Sequence, residues 1–323
     1  MSTISFAGQV AIVTGAAGSI GRAIAIELVH RGASVVVNDY GGDTFGHNGG
    51  VDRAEAVAAE LRGLGGKVIA NCTPVGTTEA ARSIVECALE AFGRIDILAS
   101  NAGITLPGLF TQPSDAELEA HFRVNLLGPY ALLREVWPVM QRQRYGRVLH
   151  TSSNAALGIG ANAPYATTKA GLVGLTLDTA IEGREHGINV NAMMPVSYSR
   201  MIEQIPDPKY VEWFHKYFPP AKVAAAAAFL LSGECDLSGR ILDVGGGRVA
   251  HVVFAVNEGW FSADITAERV RDHLAEVLDM QDARALDGQA SAMVPYNRLF
   301  PFEAGAGPSL DLATVAGAGQ RKR

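Results

Sequence analysis

Short runs rich in β-branched and apolar residues alternate with helical periodicity from the N-terminus to about residue 245. The runs QVAIVTG, SVVVND, KVIANC, IDILASNAG, RVLHTSS, NVNAMMP and RILDVGG read as strands. Between them, helices are expected over roughly residues 20–31, 51–64, 78–92, 115–141, 163–186 and 220–232. This alternation predicts an α/β fold, a doubly wound parallel sheet of Rossmann type with helices on both faces, as a single domain with a C-terminal extension. Ligands of such sheets bind at the carboxyl ends of the strands, and those ends select the residues to inspect.

Two connections break the rhythm. The loop YGGDTFGHNGG is long and glycine-rich for a strand-to-helix link, and is expected to be mobile or folded around a ligand. Residues 196–219, with several prolines and aromatics, read as a lid rather than a packed helix. Within them Trp213, Phe214, Tyr217 and Phe218 either line an apolar substrate pocket or form the lid's own packing. Residues 1–260 are expected to form one domain that includes the lid, and 261–323 a helix and a loose tail. The helix is TAERVRDHLAEVLDM with Thr266 as N-cap, and the tail is EAGAGPSLDLATVAGAGQRKR.

Composition narrows the function. The 323 residues are 48% hydrophobic, enough for a substantial core. A net charge of -6 gives no basic footprint, so nucleic acid is not an expected partner. Cys72, Cys87 and Cys235 are too widely spaced for a zinc pattern, no His cluster suggests a metal, and an odd thiol count suits a reduced compartment. The opening MSTISFAGQV has no signal-peptide pattern, and AKVAAAAAFLL is far shorter than the roughly 18 residues a membrane helix needs. A soluble, cytoplasmic chain is expected.

The stretch TGAAGSIGRA follows the first strand and opens the first helix. Gly15 allows the turn, Gly21 allows close helix packing, and the helix N-terminus offers unpaired N–H groups to a pyrophosphate. Gly18 stands beside Ser19, whose hydroxyl can itself bond phosphate, and Ile20 completes the turn. Asp39 ends the second strand 24 residues after Gly15. It can accept both hydroxyls of an adenosine ribose and repel a 2′-phosphate, and no neighbouring Arg or Lys in the sequence argues for one, so NAD is expected over NADP. The plainer reading of Asp39 is a turn cap.

YATTK places Tyr165 and Lys169 four apart on a helix, hence on one face. A nearby cation favours phenolate, and a phenol of tuned pKa can exchange a proton with a substrate oxygen. Taken alone, such a pair is more often two surface neighbours.

With TGAAGSIG, SNAG at 100–103, Asn125 in VNLLG, TSS at 151–153 and YATTK in fixed order, residues 8 to about 250 resemble the short-chain dehydrogenase/reductase family. The resemblance implies an NAD-dependent oxidoreductase in which Tyr165 is the general acid/base. Lys169 lowers its pKa and holds the nicotinamide ribose, and Asn125 supports a water leading to Lys169. Asn101, Ala102 and Gly103 lie beneath the cofactor, and Pro195 follows the sixth strand beside it. A serine of TSS bonds the substrate oxygen. Counting from the fifth strand points to Ser153 and counting back from Tyr165 to Ser152; Ser153 is the choice.

NDYGGDTFG, LGGKVIAN, AFGRIDILASNAGI, YGRVLHTSS, AIEGREHGINVNAMMP and SRM resemble more closely the dehydrogenase domains of the peroxisomal multifunctional enzymes of type 2 and their bacterial relatives. That likeness implies oxidation of (3R)-hydroxyacyl-CoA thioesters with NAD, some with steroid-derived acyl groups. It also implies assembly as a homodimer or homotetramer through the helices at 115–141 and 163–186. Thr73 stands where that group commonly has an Asp for the adenine. The expected substrate is thus an acyl-CoA; the competing readings are a free steroid or cyclic secondary alcohol, and a non-catalytic NAD sensor. His150 is expected to be a packed residue of the fifth strand, and His186 to sit at a helix end.

Overall fold

The computed structural model describes residues 3–43 and 45–300; the predicted tail from Glu303 onward lies outside them. The chain divides into two compact units, Met1–His251 and Val252–Arg323.

The first unit is built on one sheet in the order β3-β2-β1-β4-β5-β6-β7-β8. Its strands are β1 (Val10–Thr14), β2 (Ser34–Asn38), β3 (Val68–Asn71), β4 (Ile97–Ser100), β5 (Gly146–Thr151), β6 (Ile188–Val196), β7 (Ile241–Gly245) and β8 (Arg248–Val252). All pairings from β3 through β7 are parallel. Strand residues alternate between two buried layers, which is why the strands are apolar throughout. Ala11, Val13, Ile97, Ala99 and Leu149 meet α1 (Ser19–His30), α2 (Asp52–Gly63) and α9 (Pro220–Leu231). Ile12, Leu98, Val148 and Val190 meet α3 (Thr78–Phe92), α5 (Gly128–Gln143) and α6 (Ala163–Gly183). The strand order reverses between β1 and β4, and the crevice outside their carboxyl ends is the topological switch point.

The structure departs from the periodicity reading in four places. An eighth strand follows β7 after only Gly246 and Gly247, both at positive φ (62° and 97°). A two-residue link cannot cross over to a parallel neighbour, so β8 turns back as an edge hairpin, largely exposed and therefore without an apolar run. The helix expected over 115–141 is α4 (Asp115–Phe122), one π turn (Arg123–Leu127), and α5. The segment read as a lid holds α7 (Arg200–Glu203) and a ten-residue helix, α8 (Pro208–Tyr217), capped by the Asp207 carboxylate accepting from the Lys209 and Tyr210 N–H groups.

The fourth departure lies in the second unit. The helix expected from Thr266 breaks into α10 (Ala267–Asp272) and α11 (Leu274–Leu278), neither of which buries a residue. Thr266 does cap it, accepting from the Arg269 N–H. That unit also pairs β9 (Ala255–Val256) with β10 (Arg284–Ala285), and His273 stacks on Trp260 at 4.2 Å. Among the described residues no helix is long and apolar enough to cross a membrane.

Candidate active site

A cavity of about 1080 Å³ opens at the carboxyl ends of β1, β4, β5 and β6. Its first wall is the turn after β1. Gly15 has φ +64, and a Cβ there would stand 2.8 Å from the Ala102 Cα, so the turn packs against the loop after β4 only because it is glycine. A Cβ on Gly21 would come within 2.3 Å of the Gly15 carbonyl oxygen, so α1 also starts in contact with the turn. The α1 cap is Gly18, which offers no side-chain oxygen, and no acidic residue occupies the first turn. Gly15, Gly18, Ser19 and Ile20 line the cavity, so the positive end of the helix dipole is open to an anion there.

The floor is the loop after β4. The Thr14 hydroxyl accepts from the Asn101 and Ala102 N–H groups, both at 3.1 Å, and the Asn101 amide donates to the Thr14 and Gly15 carbonyls at 3.2 and 3.3 Å. Asn125 sits fully buried in the π turn. Its amide grips Ile104 from both sides, accepting from the N–H at 2.8 Å and donating to the carbonyl at 2.9 Å. A Cβ on Gly103 would lie 3.3 Å from Asn125 Oδ1 and 3.4 Å from Lys169 Nζ, so the bare backbone there lets both groups approach. One wider turn inside a helix thus aims an otherwise ordinary asparagine at the site.

α6 carries Tyr165 and Lys169 on one face, with Lys169 Nζ 5.6 Å from the phenol ring centroid. The ammonium is buried and donates to the Thr151 carbonyl at 2.7 Å; burial alone holds it down to about 8. Burial pushes the Tyr165 phenol up, and the Ser153 hydroxyl bonded to it draws it back down. Burial is the larger effect and leaves the phenol above its ordinary value. The two serines face opposite ways. Ser152 is buried and its hydroxyl donates to the Lys169 carbonyl at 2.7 Å, whereas Ser153 turns to Tyr165 and accepts from the Ala155 N–H at 3.1 Å. Beneath them, His150 is fully buried with no hydrogen-bond partner on either ring nitrogen among the described residues. Burial, then the Lys169 charge, holds it at about 4, so it is a neutral imidazole.

The roof comes from the two irregular connections. Asp39 is buried, its carboxylate accepting from Ala17 N–H at 2.8 Å and Gly41 N–H at 2.7 Å. The loop after it closes on itself through Gly50 N–H to the Tyr40 carbonyl at 2.9 Å. Arg53 and Arg200 both donate to the Gly42 carbonyl, at 2.9 and 3.3 Å. Two cations therefore stand near Asp39 where the neighbouring sequence shows none; the fold brings them from α2 and α7. Opposite, Tyr198 N–H donates to the Phe218 carbonyl at 2.8 Å and ties the ends of residues 198–218 together. Of the four aromatics singled out there, Phe214 lines the cavity, joined by Tyr210. Trp213 and Tyr217 keep their outer faces exposed, and Phe218 packs on Phe214 at 5.0 Å. Pro74 and Val75 line the wall beside Thr73, and Pro195, expected after the sixth strand, lies within β6 near its carboxyl end and lines the cavity there. His186 lies in a short 3-10 turn after α6.

A family model described as short chain dehydrogenase matches residues 9–205. A short-chain type dehydrogenase/reductase of Mycobacterium tuberculosis is 37% identical over 278 residues, 85% of this chain and 96% of that one. The peroxisomal multifunctional enzyme type 2 of Mus musculus is 37% identical over 287 residues, 87% of this chain but 38% of the mouse protein. Among solved structures, a 7α-hydroxysteroid dehydrogenase complexed with NADH and 7-oxo glycochenodeoxycholic acid superposes with a TM-score of 0.67 at 30% identity. That likeness covers 75% of this chain and 95% of that one.

Proposed function

The chain belongs to the short-chain dehydrogenase/reductase family and is an oxidoreductase, and from that premise we propose that it oxidises the 3-hydroxy group of an acyl-CoA thioester with NAD. The observation that carries the reading is the convergence of Ser153, Tyr165 and Lys169 in the cavity that also holds the open end of α1.

These residues fit a nicotinamide dinucleotide. The uncapped start of α1 with Gly18, Ser19 and Ile20 would hold its pyrophosphate, Asp39 its adenosine ribose, and Tyr165 with Lys169 its second ribose. The backbone of Asn101, Ala102 and Gly103, together with Pro195, would flank it. The buried Asp39 carboxylate supports the form without a 2′-phosphate, in keeping with the NADH named for the steroid dehydrogenase. When bound, that group supplies the hydride acceptor. The Tyr165 phenolate takes the proton of the substrate hydroxyl as its carbon becomes a carbonyl. Ser153 donates to the same oxygen, and the Lys169 ammonium stabilises the phenolate. Asn125 fixes the Ile104 backbone below them and would support a water leading to Lys169.

The acyl-CoA assignment is supported by the 37% likeness to the multifunctional enzyme and by the glycine loop after Asp39. A second reading, a free steroid or cyclic alcohol, is supported by the hydroxysteroid dehydrogenase and by the apolar lining from Met201, Ile202, Ile205 and Phe214. Pairing with a second copy through the faces of α5 and α6 is supported by the exposed Tyr130 and Ile181.

The test supplies matched 3-hydroxy substrates as the CoA thioester and as the free acid or alcohol, and follows NADH formation. Turnover confined to the thioester upholds the first reading. Turnover of the free alcohol moves the assignment to the second, and dinucleotide binding without turnover of either form would place the substrate outside both readings.

A further inference from the structure

The roof holds two positive charges that no carboxylate neutralises directly. Among the described residues, neither the Arg53 nor the Arg200 guanidinium has a carboxylate oxygen within 4.0 Å. Each instead gives one bond to the Gly42 carbonyl. The nearby acidic groups are engaged by their own loops. Asp39 accepts from Ala17 and Gly41 N–H, Asp43 from Phe45 and His47 N–H at 2.9 Å each, and Glu203 from the Tyr198 hydroxyl at 2.7 Å. Arg200 is half-buried, and it lines the cavity beside Asp39, Gly42 and Asp43. Burial and then the like charge of Arg53 disfavour its ionised form, while the charges of Asp39, Glu203 and Asp43 offset part of that effect. A guanidinium carries five donors, so each arginine keeps donors beyond the one that meets Gly42. A pair of forked cations, held by one carbonyl and partly withdrawn from water, matches a doubly charged tetrahedral anion better than a single carboxylate.

We propose that Arg53 and Arg200 form a subsite for a phosphomonoester carried on the adenosine ribose of a bound ligand. Asp39 marks where an adenosine lies, and the arginines stand over the residues that follow it. Two ligands carry such a group, a CoA thioester at the 3′ position and a phosphorylated dinucleotide at the 2′ position. The first source rests on the thioester reading above; the second does not. Asp39 opposes a phosphate on the ribose it holds, which favours the CoA source.

Calorimetric titration of the full chain with 3′,5′-ADP, 2′,5′-ADP and 5′-AMP, with and without saturating NAD, tests this in the wild type, R53Q, R200Q and the double variant. The expected result is that 3′,5′-ADP binds in the presence of NAD and loses roughly tenfold or more in R200Q, and more again in the double variant, while 5′-AMP changes less than about twofold. The unchanged 5′-AMP affinity also reports that the variants are folded, and Arg200→Lys, which keeps the charge, should recover part of the loss. Preference for 2′,5′-ADP, abolished by NAD and lost in the same variants, upholds the subsite and assigns it to the cofactor. The proposal is overturned if neither bisphosphate binds more tightly than 5′-AMP, or if the variants weaken all three alike. Failure of the thioester reading shows separately, as absent turnover of the CoA substrate with the bisphosphate preference intact.

Discussion

Below the cavity, Ser152, Lys169 and Asn125 are 1%, 3% and 0% exposed; above it, Tyr210 is 41% exposed and Arg200 half-buried. The lower groups are locked by bonds to backbone: Ser152 to the Lys169 carbonyl, Lys169 to the Thr151 carbonyl, and Asn125 to both ends of the Ile104 peptide. The upper groups are held by a few ties between loops, at Gly42 and between Tyr198 and Phe218. A proton-transfer group must sit within about 0.5 Å of its productive place, which packed strands and helices provide. A wall that admits and releases substrate must open, which loosely tied connections allow. The proposed reaction assigns chemistry to the floor and selection to the roof, so variants in each should fail differently.

The largest effect belongs to the floor. Tyr165→Phe keeps the ring and removes the proton, so turnover should fall by about 10²–10⁴ with dinucleotide affinity unchanged by fluorescence titration. Full turnover would remove Tyr165 from the reaction. Next come the two serines. Ser153→Ala removes the donor proposed for the reacting oxygen and should lower turnover by about 10²–10³. Ser152→Ala loses a buried bond to the backbone, and should cost about 1 kcal/mol of stability in urea unfolding while turnover stays within a few-fold. The reverse pattern would exchange their roles.

His150 gives the floor a pH signature. Its pKa in the folded chain, about 4, lies below the ordinary 6.5. As pH falls, the unfolded chain therefore takes the proton first. Stability present above about pH 6.5 is lost progressively until the folded chain can also protonate near 4. The difference corresponds to about 3 kcal/mol. His150→Leu cannot titrate, so wild type should lose about that much more than the variant between pH 7 and pH 4, read by urea unfolding. Parallel pH curves would show that His150 is bonded and solvated well enough to ionise normally.

The same division governs what the sequence discloses. The floor is made of short contiguous stretches, TGAAGSIG, SNAG, TSS and YATTK, each a strand end or a helix face, so residue identity and spacing point at them together. Its orientation is less visible. Whether Ser152 or Ser153 meets Tyr165 depends on the backbone after β5, and the π turn that aims Asn125 interrupts a pattern that reads as one continuous helix. The two roof segments are legible singly, as a glycine-rich loop and a lid, but how they meet is not, because their parts are distant in the chain. Arg53 and Arg200 meet only through the fold. The start of α8 was legible in Asp207–Pro208, an N-cap followed by proline at the first helical position, but the surrounding prolines masked it.

The smallest effect falls on the roof and sharpens the contrast most. Phe214 packs between Tyr210 and Phe218, 5.0 Å from each ring centre, and lines the cavity. Burying an apolar side chain of this size is worth about 1.5–3 kcal/mol, so Phe214→Ala should raise KM for a long or ring-bearing substrate about tenfold. The floor is untouched, so kcat should stay within about twofold. The length of the substrate then separates two causes. If the loss is a contact with the acyl or steroid portion, a short-chain substrate keeps its KM. If instead α8 no longer closes the cavity, KM rises equally for short and long substrates and the arginine subsite weakens with it, because Arg200 belongs to the same tied segment. The second outcome would make the roof a single cooperative piece, with selectivity set by whether it closes rather than by which side chain it presents.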